Sequence, residues 1–222
     1  MSSNFEGIAF STPVPEDRYH DVIVHLRHNF FADEPINKSV ELCQPGEPHA
    51  ELEEHSLSTL RDGLSVMALD TETGEVIGVA LNGVQHMGDL NAAQEKLEKM
   101  TDGSFKQIFG LLYSLNQTLD LFSKYEVENI FECRILSVDS RFRGRGLAKE
   151  LMRRSEEVAK DAGFKVFKED ATGLFSQKIA ASLGHETVYQ MEYSSYTNKE
   201  GDIIFNTPSP HNSLKIMVKL LQ

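Results

Sequence analysis

The residue types with the clearest chemical meaning lie between Ile135 and Ala148. An apolar, β-prone stretch leads into the turn Arg141-x-x-Gly144-x-Gly146, and an amphipathic helical pattern begins directly after it. Glycine lets the backbone come close to a ligand. The start of a helix presents unpaired N–H groups and the positive end of its dipole. Such a turn is suited to binding a phosphate or a diphosphate.

Two common phosphate loops do not fit this turn. The chain has no Gly-x-x-x-x-Gly-Lys-Ser/Thr string, and Lys149 stands where the dinucleotide pattern Gly-x-Gly-x-x-Gly needs its third glycine. Charge favours an anionic ligand, because nine Lys or Arg stand against four Asp or Glu between Arg141 and Lys168 in a chain of net charge −12. The turn alone is also compatible with an ordinary strand-to-helix loop, and the basic residues with a solvated helix face.

Apolar periodicity and turn residues predict the elements that must position this turn. The central strand is expected over 127–138, and the helix after the turn is expected to close at Gly163. Pro35 is expected to end any helix, which makes 32–37 a turn. The remaining strands are predicted at 5–10, 63–70, 76–84, 165–170, 185–193 and 213–220, and the remaining helices at 16–30, 50–61, 89–100, 105–125 and 175–183.

Composition bounds the class of protein. A length of 222 residues favours one domain over 1–222, and a net charge of −12 argues against nucleic-acid binding. The sequence shows neither a signal peptide nor an apolar run of about 20 residues. Cys43 and Cys133 lack metal-ligand spacing, and His49 and His55 do not form a His-Glu-x-x-His motif. We therefore expect a soluble, monomeric, cytoplasmic protein that binds no metal, nucleic acid or membrane.

Three stretches resemble a known family. The string Arg141-Phe142-Arg143-Gly144-Arg145-Gly146-Leu147-Ala148, after Leu136-Ser137-Val138, resembles the acetyl-CoA motif of the GNAT N-acetyltransferases. Residues 30–37 (FFADEPIN) look like the N-terminal signature of insect arylalkylamine (dopamine-type) N-acetyltransferases. Residues 172–177 (TGLFSQ) fall where that subfamily places its hydroxyl residues. The resemblance covers nearly the whole chain.

The resemblance implies an α/β fold, namely the GNAT fold, with a mixed central sheet splayed between the fourth and fifth strands and flanked by helices. It also implies acetyl-CoA as cosubstrate. The pantetheine arm would lie along Leu136, Ser137 and Val138, with the backbone N–H of Val138 stabilising the oxyanion. The residues around the diphosphate would be Arg141, Arg143, Gly144, Arg145, Gly146, Leu147 and Ala148.

For the chemistry, the family candidates are Glu34 as general base and the hydroxyls of Ser176 and Thr172 as proton donors to the leaving thiolate. An alkylammonium titrates near about 10, so a base must remove its proton before it can attack. Glu132 and His185 are reserve candidates for the base. The implied activity is direct acetyl transfer to a small arylalkylamine in a ternary complex. The alternatives are a polyamine N-acetyltransferase on the same fold and a non-catalytic CoA-binding protein.

Overall fold

The computed structural model describes residues 5–221, without the side chains of Leu90 and Asn91. The strands span Ile8–Ser11 (β1), Val66–Asp70 (β2), Val76–His86 (β3), Asn129–Val138 (β4), Val166–Ala171 (β5), Glu186–Glu192 (β6) and Ser213–Leu220 (β7). They form one mixed seven-stranded sheet in the order β1-β2-β3-β4-β5-β7-β6. Its neighbours are antiparallel except for β4 and β5, which run parallel.

Helices cover both faces of this sheet. Within the described residues they span Tyr19–Asn29 (α1), Pro35–Ser39 (α2), Ala50–Arg61 (α3), Asp89–Lys99 (α4), Gly103–Leu119 (α5), Leu121–Tyr125 (α6), Leu147–Asp161 (α7) and Leu174–Ser182 (α8). In this part of the chain, no helix combines the length and the apolar character needed to cross a bilayer.

The sheet opens between β4 and β5. The two strands pair only where residues 131–133 meet residues 167–169. Beyond Cys133, β4 continues to Val138 without pairing to β5, whereas β5 stays paired with its other neighbour, β7, along its whole length. Because parallel strands end at the same edge of a sheet, the carboxyl ends of β4 and β5 flank one gap. The predicted α/β fold with this opening is confirmed.

The central strand β4 is buried on both faces. Ile130 and Ile135 pack with the apolar sides of α1, α3 and α5, whereas Phe131 and Cys133 pack with α7. From α7, the fully buried side chains on this second face are Leu147, Leu151, Met152 and Ala159. Burying each large apolar side chain contributes about 1.5–3 kcal/mol, so α7 is held rigidly behind the turn that precedes it.

Two predictions about helix boundaries were wrong. Pro35 begins α2 instead of ending a helix, because Glu34 adopts extended angles (φ −61°, ψ 132°) and leaves proline at the first helical position, where its missing N–H is not needed. The predicted helix 105–125 is broken at Asp120, whose φ of 41° lies in the left-handed region. The Asp120 carboxylate then accepts the N–H of Ser123 and starts α6.

Candidate active site

Glu34 lies at the junction of α1 and α2, and both of its carboxylate oxygens are engaged. Oε2 accepts the backbone N–H of Asn37 at 2.8 Å and so caps α2. Oε1 accepts the hydroxyl of Thr172 at 2.5 Å, a contact between residues 138 positions apart. The side chain also lines a cavity beside β4. The structure therefore brings together two of the three residues that the resemblance assigned to catalysis.

The environment of Glu34 makes its carboxylate more basic than a free one. Burial raises its pKa above the ordinary value, and the hydrogen bonds from Thr172 and Asn37 offset only part of that rise. A general base is most effective when its pKa is close to the working pH. The direction of this shift is the one that removing a proton from an ammonium requires.

Thr172 follows β5 and precedes α8, so it is not part of a helix. Thr172 and Ser176 therefore do not lie one turn apart on a common helix. Ser176 lies in the first turn of α8, where its hydroxyl donates to the carbonyl of Gly173 at 2.9 Å. In the described part of the chain, Thr172 lines the cavity and Ser176 does not.

Two residues that sequence reasoning missed hold the segment around Thr172. The hydroxyl of Tyr193, a fully buried side chain, donates to the carbonyl of Thr172 at 2.7 Å. His211 Nδ1 accepts the N–H of Leu174, at the start of α8, at 3.1 Å. Neither residue belongs to a local motif, and both are distant in sequence from the segment they contact, so no spacing signal could have identified them.

Gly173 is required by close packing. A Cβ atom at this position would lie 3.0 Å from His211 Nδ1 and 3.1 Å from Pro35 Cγ. Glycine therefore lets the start of α2, the start of α8 and the segment before β7 meet at one point. This convergence places Thr172 against Glu34.

The cavity has a volume of about 360 Å³ and extends from Glu34 and Thr172 between β4 and the helices α3 and α5. Its apolar wall contains Phe30, Ile36, Leu52, Ile108, Phe109 and Leu112. The aromatic residues Phe30, Phe109 and Tyr113 line the cavity, whereas the neighbouring Phe31 and Phe105 are buried in the core.

The charged groups that line the cavity are mostly acidic: Glu34, Asp62, Asp89, Glu132 and Asp170, against Lys96 and Arg134. Two of these carboxylates accept hydrogen bonds from backbone N–H groups. Asp62 accepts the N–H of Val84 at 3.0 Å, and Asp89 accepts the N–H of His86 at 2.8 Å. The cavity therefore combines an apolar wall with an excess of negative charge, as a cationic amine with an apolar body requires.

Glu132 belongs to a buried ionic network and is poorly suited to act as a base. Lys168, which is fully buried, contacts both Glu132 and Asp170, the latter at 2.9 Å. Arg134 Nε donates to Glu132 at 3.1 Å. Burial by itself would raise the pKa of Glu132, but the attraction of Lys168 and Arg134 outweighs it and lowers that pKa to about 2.

His185 lies away from the cavity, packed edge-on against Phe167. Its two ring nitrogens contact Glu156 at 3.0 Å and Glu169 at 3.1 Å. Burial would lower the pKa of His185, but the two carboxylates outweigh it and raise that pKa. His185 therefore ties α7 to β5 as an ion-paired cation and does not reach the site of Glu34.

The glycine turn before α7 is open to an incoming ligand. Gly144 and Gly146 have φ values of 78° and 81°, a conformation that side chains with a Cβ rarely adopt. A Cβ at either position would meet nothing within 4 Å. Gly146 is the N-cap of α7 and offers no capping side chain, so the first N–H groups of the helix lack the partner that a cap supplies. This geometry fits a diphosphate.

The arginines around the turn have different surroundings. Arg141 forms ion pairs with Asp139 at 2.7 Å and Glu75 at 3.0 Å, so its guanidinium is directed to the β2–β3 hairpin. Arg143 donates from Nε to the carbonyl of Val138 at 3.0 Å. Arg145 lies over the ring of Phe142 and, among the described residues, has no ion-pair partner. Of the three, Arg145 has the guanidinium best placed for an anion.

The edge of β4 that faces the gap exposes backbone groups. The N–H of Asp139 donates to the carbonyl of Ile77 at 2.9 Å. Hydrogen-bonded and non-hydrogen-bonded pairs alternate along an antiparallel ladder, so the N–H groups of Leu136 and Val138 point away from β3 and into the gap. Ser137 does not face this gap, because its hydroxyl lies 3.0 Å from His25 Nε2 and fastens β4 to α1.

The fold and this site define an acyl-CoA-dependent transferase. The model of the Acetyltransferase (GNAT) family matches residues 34–178, and the chain belongs to that family. It is similar to arylalkylamine N-acetyltransferase 2 from Aedes aegypti, with 51% identity over 97% of this chain and 99% of the other and a TM-score of 0.93. The protein is thus a GNAT enzyme, similar in sequence to an arylalkylamine N-acetyltransferase.

Two further solved structures have the same fold. A mosquito arylalkylamine N-acetyltransferase like 5b is 28% identical, with a TM-score of 0.86 over 96% of this chain and 100% of the other. The Drosophila melanogaster polyamine N-acetyltransferase is 23% identical, with a TM-score of 0.84 over the same shares of the two chains. At that identity, the polyamine enzyme supports the fold alone.

Proposed function

We propose that this protein transfers the acetyl group of acetyl-CoA to the primary amine of an arylalkylamine, by direct attack in a ternary complex. The observation that carries the proposal is the position of Glu34. Its carboxylate, with a raised pKa, lies at the end of an apolar, acidic cavity that runs along β4, the strand beside the gap in the sheet. The similarity to the Aedes aegypti enzyme supports the same substrate class.

In this mechanism Glu34 takes the proton from the bound ammonium, and the neutral amine nitrogen attacks the thioester carbonyl. The N–H of Val138, which points into the gap, stabilises the negative charge that develops on the carbonyl oxygen. The C–S bond then breaks, and the nitrogen gives up its second proton, which reaches the leaving thiolate through the hydroxyl of Thr172 or Ser176 or through solvent, while the first proton passes from Glu34 to solvent. The turn from Arg143 to Ala148 holds the diphosphate with its backbone N–H groups.

Acetylation of a polyamine is the second candidate. Asp62 and Asp89 support it, because they add negative charge to the cavity besides Glu34. Both carboxylates already accept hydrogen bonds from the backbone N–H groups of Val84 and His86, so they would bind a second ammonium more weakly. A monomeric enzyme in the cytoplasm is also part of our proposal, for which size-exclusion chromatography and cell fractionation are the tests.

The test of function is thiol release from acetyl-CoA with dopamine, tyramine, serotonin, tryptamine, spermidine and a peptide amine. We expect turnover with the aryl amines and little with the other two. Turnover with spermidine alone would transfer the assignment to the polyamine class. Binding of CoA without turnover of any amine would leave a non-catalytic CoA-binding protein.

Gly146→Ala should raise the KM for acetyl-CoA about tenfold, because the added methyl group enters the space before the turn and forces a left-handed φ on alanine at a cost of about 1–2 kcal/mol. Gly163→Ala is the matched control. Its φ is also 81° and its Cβ would also meet nothing within 4 Å, but it lies at the far end of α7. Steady-state kinetics that show equal KM changes in both variants would contradict the assignment of the turn.

Thr172→Val and Ser176→Ala should differ in their effect on the pH profile. Thr172 lowers the pKa of Glu34 through its hydrogen bond, so Thr172→Val should raise that pKa and shift the rising limb of kcat/KM to higher pH, with a loss of about tenfold near neutrality. Ser176→Ala should cost less than about tenfold without shifting the limb, since a thiolate of pKa about 8.5 leaves adequately unaided. A shifted limb in Ser176→Ala would contradict this division of roles.

A further inference from the structure

The cavity wall has two polar groups beside an aromatic side chain. His55 on α3 packs edge-on against Phe109 at 5.0 Å between ring centroids, and Tyr113 packs edge-on against the same ring at 5.6 Å. All three line the cavity. The charges of Glu132 and Arg134 act on both His55 and Tyr113, so both groups lie near the middle of β4.

Neither polar group is satisfied by the protein. In the part of the chain that the structure describes, no group hydrogen-bonds a ring nitrogen of His55 or the hydroxyl of Tyr113, and both half-buried side chains line the cavity. A ligand that displaces water from such polar atoms must replace the lost hydrogen bonds, or its binding loses free energy. These atoms are therefore available to a ligand that enters the cavity.

The imidazole of His55 is neutral at physiological pH. Burial, reinforced by the positive charge of Arg134, lowers its pKa to about 4. A neutral imidazole carries one N–H donor and one nitrogen acceptor, and a phenol can likewise both donate and accept. The two side chains can thus either donate a hydrogen bond to a hydroxyl group or accept one from it. They offer no negative charge to a second ammonium.

The spacing along β4 matches one class of amine. Val138, whose N–H faces the gap, and Arg134, near His55 and Tyr113, lie four residues apart in sequence. Four residues of extended strand span about 13 Å, about the length of an acetylated phenylethylamine or indolylethylamine with a ring hydroxyl. Because Glu34, His55 and Tyr113 line the same cavity, an amine of this length held at Glu34 can reach the two polar groups with the substituted end of its ring.

We infer that His55 and Tyr113 are specificity-determining residues that hydrogen-bond a ring hydroxyl, so that the enzyme prefers hydroxylated arylalkylamines to their unsubstituted analogues. This inference rests on the proposed function. A site that satisfies a substrate hydroxyl rejects the analogue that lacks it, because the polar groups of the site are then left unpaired. We expect a preference of about tenfold or more in kcat/KM.

The experiment compares tyramine with 2-phenylethylamine and serotonin with tryptamine in the wild type and in His55→Phe and Tyr113→Phe. Both substitutions keep an aromatic ring on Phe109. Tyr113→Phe removes only the hydroxyl, whereas His55→Phe removes both ring nitrogens and adds a slightly larger apolar ring. Each variant should reduce the preference for the hydroxylated amine of a pair several-fold, mainly because turnover of the hydroxylated amine becomes slower. Leu112→Met is the control in the apolar wall, and it should change both members of a pair alike.

The possible results separate this inference from the proposed function. Turnover of all four amines with equal kcat/KM in the wild type, or an unchanged preference in both phenylalanine variants, would overturn the inference and keep the function. If no amine is turned over, dissociation constants for the four amines in the presence of CoA give the same ratios. A preference in binding would then uphold hydroxyl recognition and reject catalysis, whereas equal binding would reject both. If His55→Phe does not fold, Tyr113→Phe decides the question.

Discussion

Glu34→Gln should lower kcat/KM for an aryl amine by about 10²- to 10⁴-fold, the range that general base catalysis contributes. Glutamine keeps an oxygen that can accept the N–H of Asn37, the bond that caps α2 at 2.8 Å in the wild type. It also keeps the length of the side chain at the cavity. The loss therefore reports on the proton acceptor and not on the position of α2.

The pH dependence gives the sharper readout for Glu34. The wild-type kcat/KM should rise with pH as the carboxyl loses its proton, and burial puts that rise above the ordinary pKa of 4.5. In Glu34→Gln this rise of kcat/KM with pH should disappear. Measuring kcat/KM from pH 5 to 9 would check this. Asp33→Asn, at the exposed neighbouring position, is the control and should keep the limb. A limb that persists in Glu34→Gln would mean that another group is the base.

Glu34→Ala separates catalysis from capping. It removes the base and also the oxygen that caps α2, and loss of an N-cap costs about 1 kcal/mol of stability. Alanine and glutamine variants should thus share the catalytic defect, whereas only the alanine variant should be less stable in urea.

Lys168→Met should lower the free energy of unfolding by about 3–5 kcal/mol, the usual cost of removing one partner from a buried ion pair. The side chain of Lys168 is fully buried, and its ammonium contacts two carboxylates that are themselves mostly buried, those of Glu132 and Asp170. Methionine fills a similar volume, so the loss comes from the charges left unpaired and not from a cavity.

Urea unfolding measures this loss through the transition midpoint and slope. Lys165→Met, at an exposed position just before β5, is the control and should change stability by less than about 0.5 kcal/mol. The loss of unfolding free energy in Lys168→Met, relative to the wild type, should become smaller towards acid pH. The pKa of Glu132 is lowered to about 2 in the folded wild type, so the stabilisation from its ion pairs is present above pH 4.5 and is lost as the pH falls towards 2. An equal deficit at pH 3 and pH 8 would contradict an electrostatic origin.

Sequence alone was sufficient wherever the signal is local. The turn with Gly144 and Gly146, the strand before it and the helix after it were predicted correctly, because the periodicity of strand and helix and the backbone freedom of glycine act over a few residues. The predicted bounds of α3 and β7 agree with the structure. Pro35 was misjudged because proline both ends and begins helices, and the choice depended on Glu34 acting as a cap.

The composition of the site depended on contacts between distant parts of the chain. Residues 34 and 172 meet across 138 positions, and only the resemblance to a family had linked them. Tyr193 and His211 carry no sequence signal, and the polar groups of His55 and Tyr113 come to face one cavity only because α3 and α5 pack over β4. The sequence by itself determined most of the elements, the glycine turn between β4 and α7, and the family. The tertiary structure decided which side chains share a cavity and how burial changes their pKa values, because desolvation and packing depend on neighbours that the order of residues does not list.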